Sequence, residues 1–281
     1  PPQKAFRVNT NKISIEQFEK INPFGNEKIP YVQNGYYLDF DKVGNHPFHH
    51  AGIIYVQEPA AMAPAECVDF APDSYVLDMC AAPGGKSTQL RNKLNDKILT
   101  GNIERLGLKN CVTTCMDPSR LASTFPETFD VIMVDAPCSG EGMFRKDDVA
   151  IDEWSIENVQ KCATRQQEIL ENAVRCLRPG GTIIYATCTF SLQENEMTVD
   201  SFLKSHPDFE LVPVTERVQK ATSDGICFDR CECKSMHLAR RFYPHKNRGE
   251  GQFMAVLKST REKNCVLVEK KKKKAKTDHV L

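Results

Sequence analysis

The sequence lacks an apolar run of the roughly 18 residues that a membrane-spanning helix needs, and no secretory signal opens it. It begins Pro1-Pro2 without Met, so we expect it to be part of a longer protein. It also lacks net charge, since 37 Lys and Arg balance 37 Asp and Glu, and any nucleic-acid surface must therefore be local. The 281 residues, 41% of them hydrophobic, exclude wholesale disorder and allow one large domain with an extension.

The 12 cysteines lack the spacing of a disulfide framework, and several lie inside apolar runs. A core of this size needs no disulfides, so we expect reduced thiols and a cytoplasmic protein. Cys227, Cys231, Cys233 and His237 form a C-x3-C-x-C-x3-H pattern. That is not a standard zinc spacing, so loop thiols beside a surface histidine are favoured and no metal site is predicted.

Strands and helices alternate from about residue 74. Apolar runs predict strands at 75–79, 110–114, 129–134, 182–186 and 252–257, and helical periodicity predicts helices at 86–94, 157–177 and 193–203. This alternation implies an α/β fold with a mostly parallel, doubly wound sheet.

The ends of the chain differ from this central part. Residues 1–70 read as a small α/β extension with a helix near 15–21. Residues 261–281, which include Lys270 to Lys274, read as a disordered tail or a linker. We therefore divide the chain into an extension at 1–70, a catalytic domain at 71–260 and a Lys-rich tail at 261–281.

Reactive side chains follow the predicted strands at the edge where open α/β sheets bind ligands. Asp78, Asp117, Asp135 and Cys188 each lie at such a strand end. The turn at 80–86 resembles a P-loop only at its end, because the first glycine would fall at the cysteine, and G-x-G-x-x-G is absent. A small-residue turn with two glycines suits a nucleoside cofactor without a pyrophosphate, such as S-adenosylmethionine.

Three motifs carry a resemblance to a known family: DMCAAPGGKST at 78–88, DAPCSGEG at 135–142 and ATCT at 186–189. They resemble the Sun/Fmu family of RNA cytosine-C5 methyltransferases. FRVNT at 6–10, YVQEP at 55–59, RFYPH at 241–245 and GEGQF at 249–253 extend the resemblance over almost the whole chain. GEGMFRKD at 140–147 is most similar to the bacterial branch that modifies small-subunit ribosomal RNA.

The resemblance implies a class I methyltransferase fold with S-adenosylmethionine over the first two strands. The residues that would bind this cofactor are Cys80, Ala81, Ala82, Pro83, Gly84, Gly85, Lys86, Asp117 and Asp135. It further implies transfer of a methyl group to C5 of a cytosine in RNA, with ribosomal RNA or the small ribosomal subunit as partner, no membrane and a monomeric enzyme.

The same resemblance implies catalytic roles for Cys188, Cys138, Asp135 and Lys86. Cytosine C5 is a poor nucleophile, and addition of the Cys188 thiolate to C6 would let it attack the sulfonium methyl. Cys138 would assist product release. Asp135, if protonated, could supply a hydrogen bond at N3 of the base, whereas an ionised Asp135 could only accept. Lys86 would pair with the cofactor carboxylate or orient Asp135.

Phosphate binding requires cations, and a deep thiol requires an unstacked base. The predicted RNA contacts are Arg7, Asn9, Arg145, Lys146, Arg241 and His245.

Three alternatives stay open. They are a transfer-RNA methyltransferase, a non-catalytic RNA-binding assembly factor, which two thiols disfavour, and a small-molecule methyltransferase, which the front extension disfavours.

The family's second strand, with its ribose-binding acid, has no counterpart between Asp96 and Lys97, so we name no such acid.

Overall fold

The computed structural model describes residues 2–39, 42–81, 84–94 and 114–262. The elements of the N-terminal part are β1 (Ala5–Val8), α1 (Ile15–Ile21), β2 (Gly35–Tyr37), α2 (Pro47–His50), β3 (Ile54–Val56) and α3 (Pro59–Met62). Those of the larger part are β4 (Val76–Asp78), α4 (Gly85–Asn92), α5 (Pro118–Thr124), β5 (Phe129–Asp135), α6 (Asp148–Asp152), α7 (Ile156–Cys176), β6 (Leu177–Thr187), α8 (Glu196–Ser205), β7 (Phe209–Val212), α9 (Glu216–Lys220), β8 (Ser223–Asp224), β9 (Arg240–Phe242) and β10 (Gln252–Ser259).

The N-terminal part is a small antiparallel sheet with β1 between β2 and β3. Phe6 on β1 stacks on Tyr36 with ring centroids 5.4 Å apart, and α1 closes this aromatic core with Phe18. Helix α1 begins at a capping box, in which Ser14 and Gln17 satisfy each other's backbone N–H. The predicted α/β extension and its helix at 15–21 are therefore observed.

The larger sheet runs in the order β4-β5-β6-β10-β9-β8, and β7 also pairs with β10. Strands β4, β5 and β6 are parallel, whereas the pairs formed by β10 and the β8–β9 pair are antiparallel. Among the described strands the sheet is thus mixed, and the prediction of a mostly parallel sheet is corrected. For the pair of β9 and β10 the physical reason is their short connection, because parallel neighbours need a crossover of a dozen or more residues.

Both faces of this sheet are covered, as a doubly wound arrangement requires. Successive residues of a strand point to opposite faces. Ile132 and Val134 of β5 accordingly pack in the cluster that contains α7 and α8, whereas Val131 and Met133 pack in the one that contains α3 and Leu90 of α4. The amphipathic helix predicted at 157–177 is α7, and its apolar face explains this burial.

Some element boundaries differ from the predictions. Strand β6 starts at Leu177, five residues before the predicted start. Leu177 pairs with Phe129 and Thr182 pairs with Val131, so the residues between Leu177 and Thr182 form a bulge. Most of the predicted strand at 110–114, the expected gap between Asp96 and Lys97, and the tail from residue 263 lie outside the described residues. Within the described ranges, no helix combines the length and apolarity needed to cross a membrane.

Two glycines let the connection before β10 approach the loop after β5. The N–H of Gly142 donates to the carbonyl of Cys188 at 2.9 Å, and the N–H of Gly251 donates to the carbonyl of Gly142 at 3.1 Å. A Cβ on Gly142 would lie 2.7 Å from Gly251 Cα and 2.8 Å from the Cys188 carbonyl oxygen, both backbone atoms. Glycine is therefore required where three chain segments meet.

We expect Gly142→Ala to lower the free energy of unfolding by about 1–3 kcal/mol, since overpacking displaces backbone. Urea denaturation measures this quantity. Gly44→Ala is the matched control, because a Cβ there meets nothing within 4 Å. Equal stabilities of the two variants would contradict the steric argument.

Candidate active site

The carboxyl ends of β4, β5 and β6 bring the predicted reactive groups together. Asp78 ends β4, Asp135 ends β5, and Cys188 follows directly on β6. Asp135 pairs with Ala186 across β5 and β6, and the N–H of Ala136 donates to the Ala186 carbonyl at 2.9 Å. Because the strands are parallel and adjacent, three sequence-distant segments meet at one edge.

An ion pair joins the first turn to the end of β5. Gly84 adopts φ 103, a left-handed conformation that favours glycine, and α4 begins at the next residue. Lys86 in the first helical turn then reaches Asp135, with Nζ 2.6 Å from Oδ2. The Lys86 side chain is only 11% exposed, so this contact is well shielded from solvent. The carboxylate of Asp135 acts as a hydrogen-bond acceptor here.

The two predicted cysteines face each other with 3.3 Å between their Sγ atoms. A hydrogen bond from the Cys138 thiol lowers the pKa of Cys188 below its usual value, and the positive charge of Lys86 acts in the same direction, against burial and Asp135. The same bond, together with burial, raises the pKa of Cys138. The pair therefore divides its protons unequally, with Cys138 as the thiol and Cys188 as the more readily formed thiolate.

Glu194 holds the loop that carries Cys138. Its Oε2 accepts hydrogen bonds of 2.9 Å from the Ser139 N–H and from Nε2 of Gln166. The same Gln166 nitrogen donates to the Pro137 carbonyl at 2.9 Å. The peptide groups on both sides of Cys138 are thereby fixed from one buried carboxyl group, whose pKa burial raises.

Asn195 fixes the loop that carries Cys188 through two hydrogen bonds. Its Oδ1 accepts a 2.6 Å hydrogen bond from Thr187 Oγ1, and its Nδ2 donates at 2.9 Å to the Thr189 carbonyl. Sequence reasoning missed both Glu194 and Asn195. Their only sequence signal is the polar pair at the start of the predicted helix at 193–203, which is equally typical of a helix cap.

Asp78 closes the predicted cofactor turn. Its Oδ2 accepts a 2.6 Å hydrogen bond from Ser87 Oγ, and its Oδ1 accepts one of 3.2 Å from the Cys80 N–H. Burial raises the pKa of Asp78 to about 6, and the Ser87 bond opposes this shift. Burial likewise raises the pKa of Cys80 to about 12, so that this thiol stays protonated. The turn is thus built around Asp78, which the sequence placed at a strand end without a predicted role in cofactor binding.

The remaining cofactor predictions are placed as follows. Ala81 is exposed beside the turn, whereas Ala82 and Pro83 lie outside the described residues. Asp117 is exposed and caps α5, accepting a 2.9 Å hydrogen bond from the Ser119 N–H. Its contact with an adenine stays a prediction.

The structure disagrees with three predicted RNA contacts, because their side chains are buried and bonded within the protein. Arg7 donates to the Gly85 carbonyl at 2.8 Å and to Thr88 Oγ1 at 3.0 Å, and so joins β1 to α4. Asn9 donates to the Gly52 carbonyl at 2.9 Å. Arg241 is 2% exposed and forms a two-pronged ion pair with Glu196. In each case the polar group satisfies a neighbouring element instead of facing solvent.

The other three predicted RNA contacts lie at the surface. Lys146 and His245 are exposed, and Arg145 is half exposed. The Arg145 guanidinium donates 3.0 Å hydrogen bonds to both carboxylate oxygens of Glu250.

Comparisons with known proteins identify the family of the chain. The family model described as 16S rRNA methyltransferase RsmB/F matches residues 65–258, and the model of the N-terminal domain of 16S rRNA methyltransferase RsmF matches residues 1–59. The chain belongs to the RsmB/F family. The family predicted from the motifs is thereby confirmed.

Relatives in this family cover most of the chain. Ribosomal RNA small subunit methyltransferase F of Escherichia coli is 36% identical over 290 residues, which are 92% of this chain and 58% of that protein. The protein of the same name from Pectobacterium carotovorum is 34% identical over 289 residues, 92% of this chain and 57% of its own length. The chain thus spans little more than half the length of these RsmB/F relatives.

A solved structure supports the fold. The methyltransferase homolog protein from Pyrococcus horikoshii superposes with a TM-score of 0.79 at 28% identity, covering 92% of this chain and 87% of that one. The predicted class I methyltransferase fold with a doubly wound sheet is confirmed for this RsmB/F member.

We expect Cys138→Ala to move the alkylation of Cys188 to higher pH, because the substitution removes the hydrogen bond that most lowers the pKa of Cys188. The rate of Cys188 modification by iodoacetamide, followed by mass spectrometry of its peptide, gives the pH midpoint. Cys138→Ser keeps a hydroxyl donor and should shift the midpoint less. An unchanged midpoint in Cys138→Ala would show that the thiol pair is not coupled.

We expect Arg241→Met to lower the free energy of unfolding by about 3–5 kcal/mol, because it leaves the Glu196 carboxylate buried without its partner. Chemical denaturation measures the loss. Lys220→Met removes the exposed partner of Glu216 and should cost less than about 0.5 kcal/mol. An Arg241→Met protein of full stability would restore Arg241 as a candidate for RNA contact.

Proposed function

We propose that this chain transfers a methyl group from S-adenosylmethionine to C5 of a cytosine in RNA, through a covalent bond between Cys188 and C6 of the base. The observation that carries the proposal is the 3.3 Å pair of Cys138 and Cys188 beside the 2.6 Å pair of Lys86 and Asp135. A binding module or an assembly factor needs neither a polarised thiol pair nor a solvent-shielded cation at the same edge.

The residues of the first turn fit S-adenosylmethionine. The first N–H groups of α4 have no partner within the helix, and Lys86 adds a positive charge, so that end of the helix suits the cofactor carboxylate. Gly84 lets the backbone approach the ligand closely. When bound, the cofactor supplies an electrophilic methyl group on a sulfonium.

Cys188 is the proposed nucleophile. Its thiolate forms a bond to C6 and shifts electron density towards C5 and N3 of the ring, so that C5 can take the methyl group. The Cys138 thiol donates to Cys188 and thereby raises the thiolate fraction at neutral pH.

Asp135 is proposed to orient the base as an acceptor. Because its carboxylate already accepts from Lys86, it is suited to receive a hydrogen bond from the cytosine 4-amino group rather than to protonate N3. Lys86 therefore has two proposed roles. It orients the Asp135 carboxylate, and it adds a positive charge beside the proposed cofactor turn.

Product release needs transfer of the C5 proton to solvent and departure of the Cys188 thiolate, which together restore the C5–C6 double bond. A thiolate leaves more readily when a hydrogen bond stabilises its charge. Cys138 supplies that bond, which supports the predicted role of Cys138 in release.

The proposed substrate is small-subunit ribosomal RNA, because the family and the named relatives are 16S or small-subunit rRNA methyltransferases. Lys146, Arg145 and His245 offer exposed cationic or polar groups for the phosphates around the target. A cytoplasmic location and a monomeric state stay predictions.

We expect Cys188→Ala to lose methylation and the covalent adduct, whereas Cys138→Ala should accumulate an adduct, because release lacks its hydrogen bond. Labelled S-adenosylmethionine, isolated small subunits, free 16S rRNA and transfer RNA provide the assay, and denaturing gels detect the adduct. Cys227→Ala removes an exposed loop thiol and is the control.

Full methylation by Cys188→Ala would refute the assignment of the nucleophile. Methylation of transfer RNA alone would refute the ribosomal substrate. Binding of ribosomal RNA without methyl transfer by the wild-type chain would favour an assembly factor.

A further inference from the structure

We propose that a surface cleft next to Cys188 is a stacking site for the nucleobase beside the target cytosine. The cleft encloses about 510 Å³ and is lined by Arg145, Phe190, Tyr243, Pro244 and His245. This inference rests on the proposed function, because it gives a specific contact to the same RNA. Tyr243 lies in the RFYPH motif at 241–245, but the sequence predicts no role for it or for Phe190.

The aromatic rings of the cleft are ordered against one another. Phe190 and Tyr243 lie nearly parallel, with an interplanar angle of 13° and ring centroids 5.9 Å apart. The His245 ring follows at 5.3 Å from Tyr243 with an angle of 37°. Offset, nearly parallel rings form a flat apolar surface, and a planar ligand matches such a surface by continuing the stack.

Arg145 gives the cleft a fixed cationic rim. Its Nε and Nη2 bond both oxygens of Glu250, which is 1% exposed and therefore cannot move away easily. The Nη1 group has no hydrogen-bond partner among the described residues, and the side chain is 50% exposed. A guanidinium held in this way presents N–H donors to a base edge or a phosphate without further ordering.

The backbone ties this cleft to the nucleophile. Phe190 lies two residues after Cys188, and two residues of extended chain span at most about 7 Å. The Phe190 N–H donates to Glu141 Oε2 at 3.1 Å, and the neighbouring Gly142 N–H binds the Cys188 carbonyl. The cleft wall and the reactive residue therefore lie on one short chain segment, which these hydrogen bonds hold in place.

A flipped target base leaves its neighbour without a stacking partner. The unstacked neighbour loses free energy that a protein aromatic surface can restore. Base–aromatic stacking tolerates every base, since each has a π-face. The cleft is thus suited to hold the flanking base by its plane while the target base contacts Cys188.

The experiment uses single-stranded RNA oligonucleotides with one cytosine and 2-aminopurine on its 5′ or its 3′ side. The full chain carrying Cys188→Ala binds each oligonucleotide without turnover, so the readout does not depend on methyl transfer. We expect Tyr243→Leu and Phe190→Leu each to raise the Kd by about 5- to 150-fold and to brighten 2-aminopurine in one of the two bound oligonucleotides.

Two controls separate stacking from misfolding. Tyr243→Phe keeps the ring, and its Kd should lie within about twofold of that of the Cys188→Ala protein, because stacking does not need the hydroxyl. Tyr75→Leu removes an exposed ring at the other end of the sheet and should change neither Kd nor fluorescence.

Unchanged Kd and fluorescence in both cleft variants, or an equal loss in Tyr75→Leu, would overturn the stacking site. If the Cys188→Ala protein binds these oligonucleotides, and the wild-type chain methylates neither small subunits nor free 16S rRNA nor transfer RNA, the proposed function fails while the stacking site still stands.

Discussion

The geometry of the site depends on two consecutive side chains, Glu194 and Asn195, which form hydrogen bonds to the two loops that carry the cysteines. Glu194 fixes the peptide groups around Cys138, and Asn195 fixes those around Cys188. Because the two residues are neighbours in the chain, neither loop can shift without the other. The distance of 3.3 Å between the two sulfur atoms follows from this shared anchor. Buried, fully bonded polar networks of this kind specify one arrangement of a core rather than add much net stability.

The fixed distance between the sulfurs has an electrostatic consequence. A thiol in an apolar setting resists ionisation, as the raised pKa of the Cys80 thiol illustrates. Cys188 lies in equally buried surroundings, yet a donor thiol and a nearby ammonium group lower its pKa. The protein thus favours ionisation of one thiol through the groups placed around it and not by exposing the sulfur to water. The same neighbours remain in place when the thiolate has to leave again.

The buried arginines serve the architecture around this site. Arg7 joins the small N-terminal sheet to the first turn of α4, because its guanidinium donates to the carbonyl of Gly85, one residue before Lys86. Arg241 pairs with Glu196, which directly follows Asn195, and so secures β9 against the start of α8. A guanidinium has five donors and can therefore join several elements at once. The N-terminal sheet and the closing strands thereby support the reactive edge from two sides, while Lys146 remains exposed.

What the sequence determined by itself was the family, through the resemblance of its motifs, and the sheet edge at which its strand-end side chains meet. Strand periodicity suffices for that edge, because the carboxyl ends of adjacent parallel strands lie at the same edge of a sheet. The tertiary structure decided the antiparallel half of the sheet, the burial of Arg7, Asn9 and Arg241, the paired anchors at Glu194 and Asn195, and the aromatic cleft at Phe190 and Tyr243. An arginine has the same local sequence signature on a surface and in a core, since burial depends on elements far away in the chain. Hydrogen bonds between Glu194 and Ser139 span 55 residues, and no local pattern encodes such a contact.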